Sequence, residues 1–186
     1  MSVQIEPLLT VSDLDAMPDD GNRYEIIEGE LFVSRAPSLD HQRISGNIFA
    51  ALRNYLDQNP VGEVITTPGI IFSDFNGVIP DLVFISHERR DEIATGDRIT
   101  GAPDLVIEIM SPGAENERRD RMAKRQLYGK YGVREYWIVD PAKREVEVYA
   151  LAGHKLKMQS RFAEEDDLTS SLLPGFSCKI ESIFRT

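Results

Sequence analysis

Two long stretches of the chain carry apolar residues at helical spacing. The first, Ser38–Gln58, opens on a residue that can cap a helix and closes at Asn59-Pro60, where proline disfavours a continuing helix. The second, Glu115–Tyr131, is followed by Gly132 at the usual C-terminal capping position. The apolar stripe of the first stretch is Ile44, Ile48, Ala51, Leu52 and Tyr55. This spacing predicts two amphipathic helices. A short helix is expected over Thr10–Met17 and a helical turn over Glu88–Ala94.

The remaining apolar segments are short and rich in valine and isoleucine, which is typical of strands. Two hairpins are predicted, one near the N-terminus with its turn at Glu28-Gly29 and one in the C-terminal third. The expected single strands are Val64–Ser73, Val78–Ile85, Leu105–Met110 and Tyr136–Val139, and the hairpins are Arg23–Ser34 and Glu145–Leu151 with Leu156–Phe162. Helices that alternate with strands indicate one α/β domain, residues 1–186, with a central mixed sheet.

Composition places the chain among globular proteins. It has 186 residues, of which 41% are hydrophobic and 28% charged, and this balance argues against disorder. No apolar run reaches the roughly 20 residues that span a bilayer. The one cysteine, Cys178, excludes an internal disulfide framework and predicts a cytoplasmic protein. The net charge of −10 means that a nucleic-acid partner would need a local basic patch and metal ions.

Two carboxylates interrupt apolar strands. Glu108 lies inside DLVIEIM, and Asp81 follows Pro80 inside VIPDLVFI, where proline predicts a bulge or an edge position. A lone buried carboxylate is costly unless it is protonated, paired or bound to a cation. Acids on neighbouring strands suit Mg²⁺ or Mn²⁺, which bind oxygen ligands. The alternatives are a Glu108 that points outward and an Asp81 that bonds nearby backbone.

A lysine on the second helix completes this candidate site. Asp120, Lys124 and Tyr128 are spaced four residues apart and so share one side of the helix. Asp120 falls within the buried stripe and Lys124 at its margin, from which it can extend toward the carboxylates. The alternative is an ordinary surface ion pair between Asp120 and Lys124.

The same helix is locally basic. Seven basic residues and one acidic residue lie between Arg118 and Arg134, and Arg118, Arg121 and Arg125 share one face. Such a face is a candidate for contact with nucleic-acid phosphates. The alternative is a surface helix that balances nearby acids.

The ordered motifs resemble the Uma-two family of bacterial restriction endonuclease domains, within the PD-(D/E)XK nuclease superfamily. The segments that carry the resemblance are RYEIIEGEL (23–31), His41-Gln42, IPDLVFI (79–85), APDLVIEIMSP (102–112), Asp120-x-x-x-Lys124-x-x-x-Tyr128 and GVREYWIVDP (132–141). The resemblance implies a restriction-endonuclease-like fold and a Mg²⁺- or Mn²⁺-dependent endonuclease that acts on DNA. Met110 stands where the superfamily motif has lysine, which points to Lys124 as the lysine of this chain.

By this resemblance, the catalytic residues are Asp81, Glu108 and Lys124, and the metal ligands are Asp81, Glu108 and the carbonyl of Ile109. Asp120 is expected to orient Lys124. Tyr128 and the carboxylates Glu28 and Glu25 are possible supporting residues, as is His41, which would contact phosphate or a metal-bound water or else serve in capping or packing. A homodimer is expected if both DNA strands are cut. The competing hypotheses are a non-catalytic module with a nuclease-like fold that binds nucleic acid or protein, and a metal-dependent hydrolase of small phosphates.

Overall fold

The computed structural model describes residues 8–94 and 96–185. A 3₁₀ helix, Val11–Ala16, precedes the first strand. The helices are α1 (Leu39–Gln58), α2 (His87–Ile93), α3 (Ala114–Arg118), α4 (Arg125–Tyr131) and α5 (Ile180–Ile183). The strands are β1 (Arg23–Ile27), β2 (Glu30–Ser34), β3 (Gly62–Thr66), β4 (Ile70–Ser73), β5 (Asn76–Val78), β6 (Leu82–Ser86), β7 (Leu105–Ile109), β8 (Glu135–Asp140), β9 (Glu145–Ala152), β10 (Lys155–Phe162), β11 (Asp167–Thr169) and β12 (Ser177–Lys179).

The predicted α/β fold with a central mixed sheet is confirmed. The central sheet has six strands in the order β10-β9-β8-β7-β6-β3, and among them only β7 and β8 run parallel. A second sheet, in the order β2-β1-β5-β4, contains the N-terminal hairpin. The C-terminal hairpin, β9 and β10, forms one side of the central sheet. Within the described ranges, no helix is long and apolar enough to cross a membrane.

The two predicted strands around Asp81 were wrong as continuous units. Residues 64–73 divide into β3 and β4, which belong to different sheets, because Thr67 takes a left-handed conformation (φ 47°) directly before Pro68. Residues 78–85 divide into β5 and β6 at Pro80-Asp81. β6 lies between β3 and β7, so Pro80 marks a crossing between sheets and neither a bulge nor an edge strand. Asp81 is thereby placed at the junction of the two sheets.

The second predicted helix contains a π-helical segment. Residues Arg119–Lys124 form this segment between α3 and α4, and Gly132 ends α4 in the left-handed conformation (φ 89°). π-Helical turns are rare and are frequently found at functional sites. Here the segment contains three buried charged residues, Arg119, Asp120 and Lys124.

Two apolar cores cover the central sheet. One includes Ile48 and Leu52 of α1, and the other includes Leu127 and Tyr128 of α4. Alternation along β7 puts Glu108 on the face of Val106, which belongs to the α4 core. The C-terminal end of β7, which carries Glu108, therefore lies under α4, beside the start of α1.

Candidate active site

Asp81 is buried where the two sheets meet, and three groups contact its carboxylate. Its Oδ2 accepts the Ile109 N–H at 2.8 Å and lies 3.2 Å from Nε2 of His41, while Oδ1 accepts from Nη1 of Arg23 at 3.1 Å. Burial by itself would raise the pKa of Asp81, but the contacts with His41 and the Ile109 amide, with the charge of Lys124, outweigh it and hold the pKa below its usual value. The carboxylate is therefore ionised at neutral pH.

Glu108 is the second buried carboxylate, and in the chain it directly precedes Ile109, whose N–H donates to Asp81. Its Oε1 accepts from Lys124 Nζ at 2.9 Å and from the Tyr128 hydroxyl at 2.7 Å. Among the described residues, none donates a hydrogen bond to its Oε2. Burial raises the pKa of Glu108 to about 8, although the attraction of Lys124 opposes the shift. The alternative in which this side chain points outward is excluded, since Glu108 is 4% exposed.

Lys124 extends inward from the π-helical segment and is 1% exposed. Its ammonium contacts Glu108 Oε1 at 2.9 Å and Glu25 Oε1 at 2.8 Å. Burial would lower the pKa of Lys124, but the negative charges of Glu108, Glu25 and Asp120 raise it above the usual lysine value. The surface ion pair considered for Lys124 is therefore wrong, and the side chain is a cation at neutral pH.

Glu25 holds this lysine in place, and Asp120 contributes differently from what we expected. Glu25 Oε1 also accepts the Ile79 N–H at 2.7 Å, and its Oε2 lies 4.0 Å from Nη1 of Arg119. Asp120 is hydrogen-bonded to Nε of Arg119 at 2.9 Å. Asp120 therefore acts on Lys124 through its charge, and direct contact with the lysine comes from Glu25.

His41 begins α1 and reaches the same site. Ser38 caps the helix by accepting the His41 N–H, and the imidazole is buried. Its Nε2 lies 3.1 Å from the carbonyl oxygen of Ile109 as well as 3.2 Å from Asp81 Oδ2, while its Nδ1 is buried and has no hydrogen-bond partner among the residues that the structure describes. Local sequence carries no signal for this contact, because 68 residues separate His41 from Ile109.

Glu28 lies outside the cluster, contrary to the expectation of a supporting role. It occupies the β1–β2 turn in a left-handed conformation (φ 51°), and its exposed carboxylate pairs with Lys130 at 2.8 Å. Arg23 was not singled out from the sequence, although it contacts Asp81 directly. Its partner is 58 residues away, so no short motif links the two.

The three arginines proposed as one phosphate-binding face are in different surroundings. Arg121 forms ion pairs with Glu117, Asp140 and Glu147, and its side chain is 18% exposed. Arg125 lies over the ring of Tyr149, 5.1 Å from the centroid. Arg118 is exposed. The guanidinium of Arg121 is thus paired with carboxylates of the protein itself, because β8 and β9 cover that side of the helix.

A cleft opens beside this cluster. Its volume is about 510 Å³, and its lining includes His41, Met110, Ser111, Glu117, Asp140 and Lys143. Because Met110 directly follows Ile109 and His41 contacts both Asp81 and Ile109, the cleft lies next to the predicted metal ligands, although none of them lines it. A phosphodiester group that enters it would approach the site from the His41 side.

The chemistry of the donor set fits a hard divalent cation. Asp81, Glu108 Oε2 and the Ile109 carbonyl offer oxygen donor atoms, and Mg²⁺ is commonly held by one or two carboxylates with waters and substrate phosphate. Across residues 8–94 and 96–185, no three His, Cys, Asp or Glu side chains are grouped so as to hold a cation by themselves. The protein can therefore supply part of a coordination shell, and water and substrate would supply the rest.

The fold of this chain is also found in solved structures. Five solved chains match, and one of them is the crystal structure of a protein described as a putative nuclease belonging to DUF820 from Anabaena variabilis ATCC 29413. Its TM-score is 0.74 at 19% identity, over 95% of this chain and 97% of that one. No curated protein matches.

Residues 11–181 match the family described as "Uma2: Putative restriction endonuclease". The chain belongs to this family. The match covers every residue of the buried cluster, from Arg23 to Tyr128, and it confirms the family predicted from the motifs.

Proposed function

We propose that the protein is a divalent-metal-dependent endonuclease that hydrolyses phosphodiester bonds in DNA. The observation that carries the proposal is the convergence of Asp81, Glu108 and Lys124, from three separate elements, on one buried cluster beside an open cleft. Burying this many charges is costly and contributes little net stability. A functional role is a better explanation for the cluster than stability.

The residues divide the work of hydrolysis as follows. Asp81, Glu108 and the Ile109 carbonyl would hold the cation, which when bound would lower the pKa of a coordinated water and offset phosphate charge. Lys124 is protonated, so it stabilises developing negative charge and does not act as the general base. Tyr128 and Glu25 fix the positions of Glu108 and Lys124, and preorganised charges of this kind lower the activation barrier.

Arg118 and Arg125 are the proposed contacts with DNA phosphates, and Arg121 is assigned to folding because its guanidinium is paired with three acids. Each phosphate neutralised should contribute about 0.9 to the slope of log affinity against log salt. A double variant, Arg118→Gln with Arg125→Gln, should lower this slope by about 2. Metal affinity should not change, because neither side chain contacts the site.

The direct test is cleavage of supercoiled plasmid in Mg²⁺ or Mn²⁺, with EDTA as the negative condition. The control is the double variant Asp81→Asn with Glu108→Gln, which keeps the volume of both side chains and removes both charges. Loss of nicking in the double variant is expected. Equal nicking by the variant would mean that a contaminant cuts the DNA. Sedimentation of the active protein on DNA tests the proposed homodimer, because one site cuts one strand.

A non-catalytic binding module remains the second candidate. The observation that favours it is charge: the chain carries −10, and the cleft is lined by Glu117 and Asp140 as well as by Lys143. Metal binding with no cleavage of DNA of any form would favour this second function.

A further inference from the structure

His41 occupies the position that joins two of the proposed metal ligands. Its Nε2 is 3.2 Å from Asp81 Oδ2 and 3.1 Å from the Ile109 carbonyl oxygen. A cation that binds both of these oxygens, at the usual distance of roughly 2.0–2.6 Å, needs a position close to each of them. The imidazole nitrogen occupies such a position on its own side of the two oxygens, within 3.2 Å of each.

The hydrogen bonds also determine which nitrogen carries the proton. A carboxylate and a carbonyl are both acceptors, so Nε2 must be the donor that satisfies them. In the neutral ring Nδ1 then carries a lone pair, and this nitrogen is buried without a partner in the described ranges 8–94 and 96–185. An unsatisfied buried acceptor is costly. The hydrogen bonds that favour this position of His41 are therefore those of Nε2, whereas the surroundings of Nδ1 oppose it.

We infer that His41 is a gate for the cation: its imidazole competes with the metal for Asp81 and Ile109, and it must leave this position before the cation binds. The inference rests on the proposed metal-dependent function. His41 lines the cleft as well as the site, so the ring has open volume beside it into which it can rotate. Its departure would open the route from the cleft to Asp81.

Calorimetric titration of the purified protein with Mn²⁺ and with Mg²⁺ tests the gate without measuring activity. His41→Ala should bind the cation more tightly than the parent. If nine-tenths of the parent molecules are closed, the gain is about tenfold, because apparent affinity scales with the competent fraction. Circular dichroism checks that the variant is folded.

Two control variants separate gating from other effects. His41→Gln keeps a neutral N–H donor on a side chain of similar reach, so its affinity should stay near that of the parent. Arg23→Gln removes a positive charge from Asp81 Oδ1 but leaves the Ile109 carbonyl covered. Gating predicts a larger gain for His41→Ala than for Arg23→Gln. Simple removal of positive charge predicts the reverse order.

A second measurement needs no variant. The chain has three histidines, and His87 and His154 are exposed, so ¹⁵N-detected imidazole spectra contain two internal references. We expect His41 to show the Nε2–H form without metal and to change on saturation with Mg²⁺, while His87 and His154 do not. An unchanged His41 in protein that binds Mg²⁺ would overturn the gate.

The outcomes distinguish the gate from the proposed function. Equal or weaker binding by His41→Ala, in protein whose parent binds the cation, overturns the gate and leaves a metal-dependent nuclease standing. Absence of binding in both proteins overturns the gate and the metal-dependent function together. Tighter binding by His41→Ala, with the larger gain over Arg23→Gln, supports the gate.

Discussion

Replacement of Lys124 by methionine should destabilise the protein as well as abolish cleavage. Methionine keeps most of the side-chain volume and removes the ammonium. The ammonium is almost fully buried and contacts Glu25 and Glu108 at 2.8 and 2.9 Å. Its loss leaves two buried carboxylates without their common cation, because Arg119 lies no closer than 4.0 Å to Glu25.

The size of the effect follows from these contacts. Removing one partner of a buried ion pair costs about 3–5 kcal/mol. Because burial raises the pKa of Glu108 to about 8, this carboxyl group is mostly protonated near pH 7, and Glu25 bears most of this loss. We therefore expect the free energy of unfolding to fall by about 2–4 kcal/mol, which leaves a domain of ordinary stability folded. The melting temperature should fall by about 5–15 °C.

A double-mutant cycle with Glu25→Gln isolates the pair. In the double variant, both the Lys124 ammonium and the Glu25 carboxylate are gone, so neither charge is left unpaired. The combined loss in the free energy of unfolding should therefore be smaller than the sum of the two single losses. We expect a coupling energy of at least about 1 kcal/mol. Urea denaturation followed by the fluorescence of the single tryptophan, Trp137, measures all four proteins.

Lys130→Met is the matched control, because Lys130 is on α4 and pairs with Glu28 at the surface, where its side chain is 56% exposed. It should change neither unfolding nor cleavage. Additive losses in the cycle, within about 0.5 kcal/mol, would refute the view that Glu25 and Lys124 act as a buried pair. So would a Lys124→Met protein as stable as the Lys130→Met control.

Three further changes test other parts of the structure. Arg121→Gln should lower the free energy of unfolding by roughly 1–3 kcal/mol, because three carboxylates lose their shared partner. Arg118→Gln should leave it unchanged, and equal stability of the two variants would contradict the assignment of Arg121 to folding. Gly132→Ala should cost about 1 kcal/mol, since an added side chain disfavours φ 89°, and an unchanged melting temperature would count against a left-handed cap. Glu135→Gln should cost about 1–3 kcal/mol in urea denaturation, because the buried carboxylate accepts the Trp137 N–H at 2.7 Å and two serine hydroxyls; no change would mean that these hydrogen bonds add nothing.

The sequence by itself determined the features that depend on neighbours along the chain. Ser38 and Gly132 mark helix ends where the structure has them, because capping is decided within a few residues. The i, i+4 spacing brings Lys124 and Tyr128 to one partner, Glu108, since a helix repeats at nearly that interval. Glu108 was recognisable as a carboxylate inside an apolar run.

Tertiary structure decided everything that depends on which distant segment covers a residue. Whether residues 64–73 form one strand or two depends on which strands pair with them, and β3 and β4 have partners in different sheets. Arg121 shares a helix face with other arginines, but β8 and β9 supply the acids that occupy it. Arg23 and His41 reach Asp81 and Ile109 only after chain segments 58 and 68 residues apart have packed together. Local spacing contains no information about such contacts, because their geometry is set by the packing of whole elements.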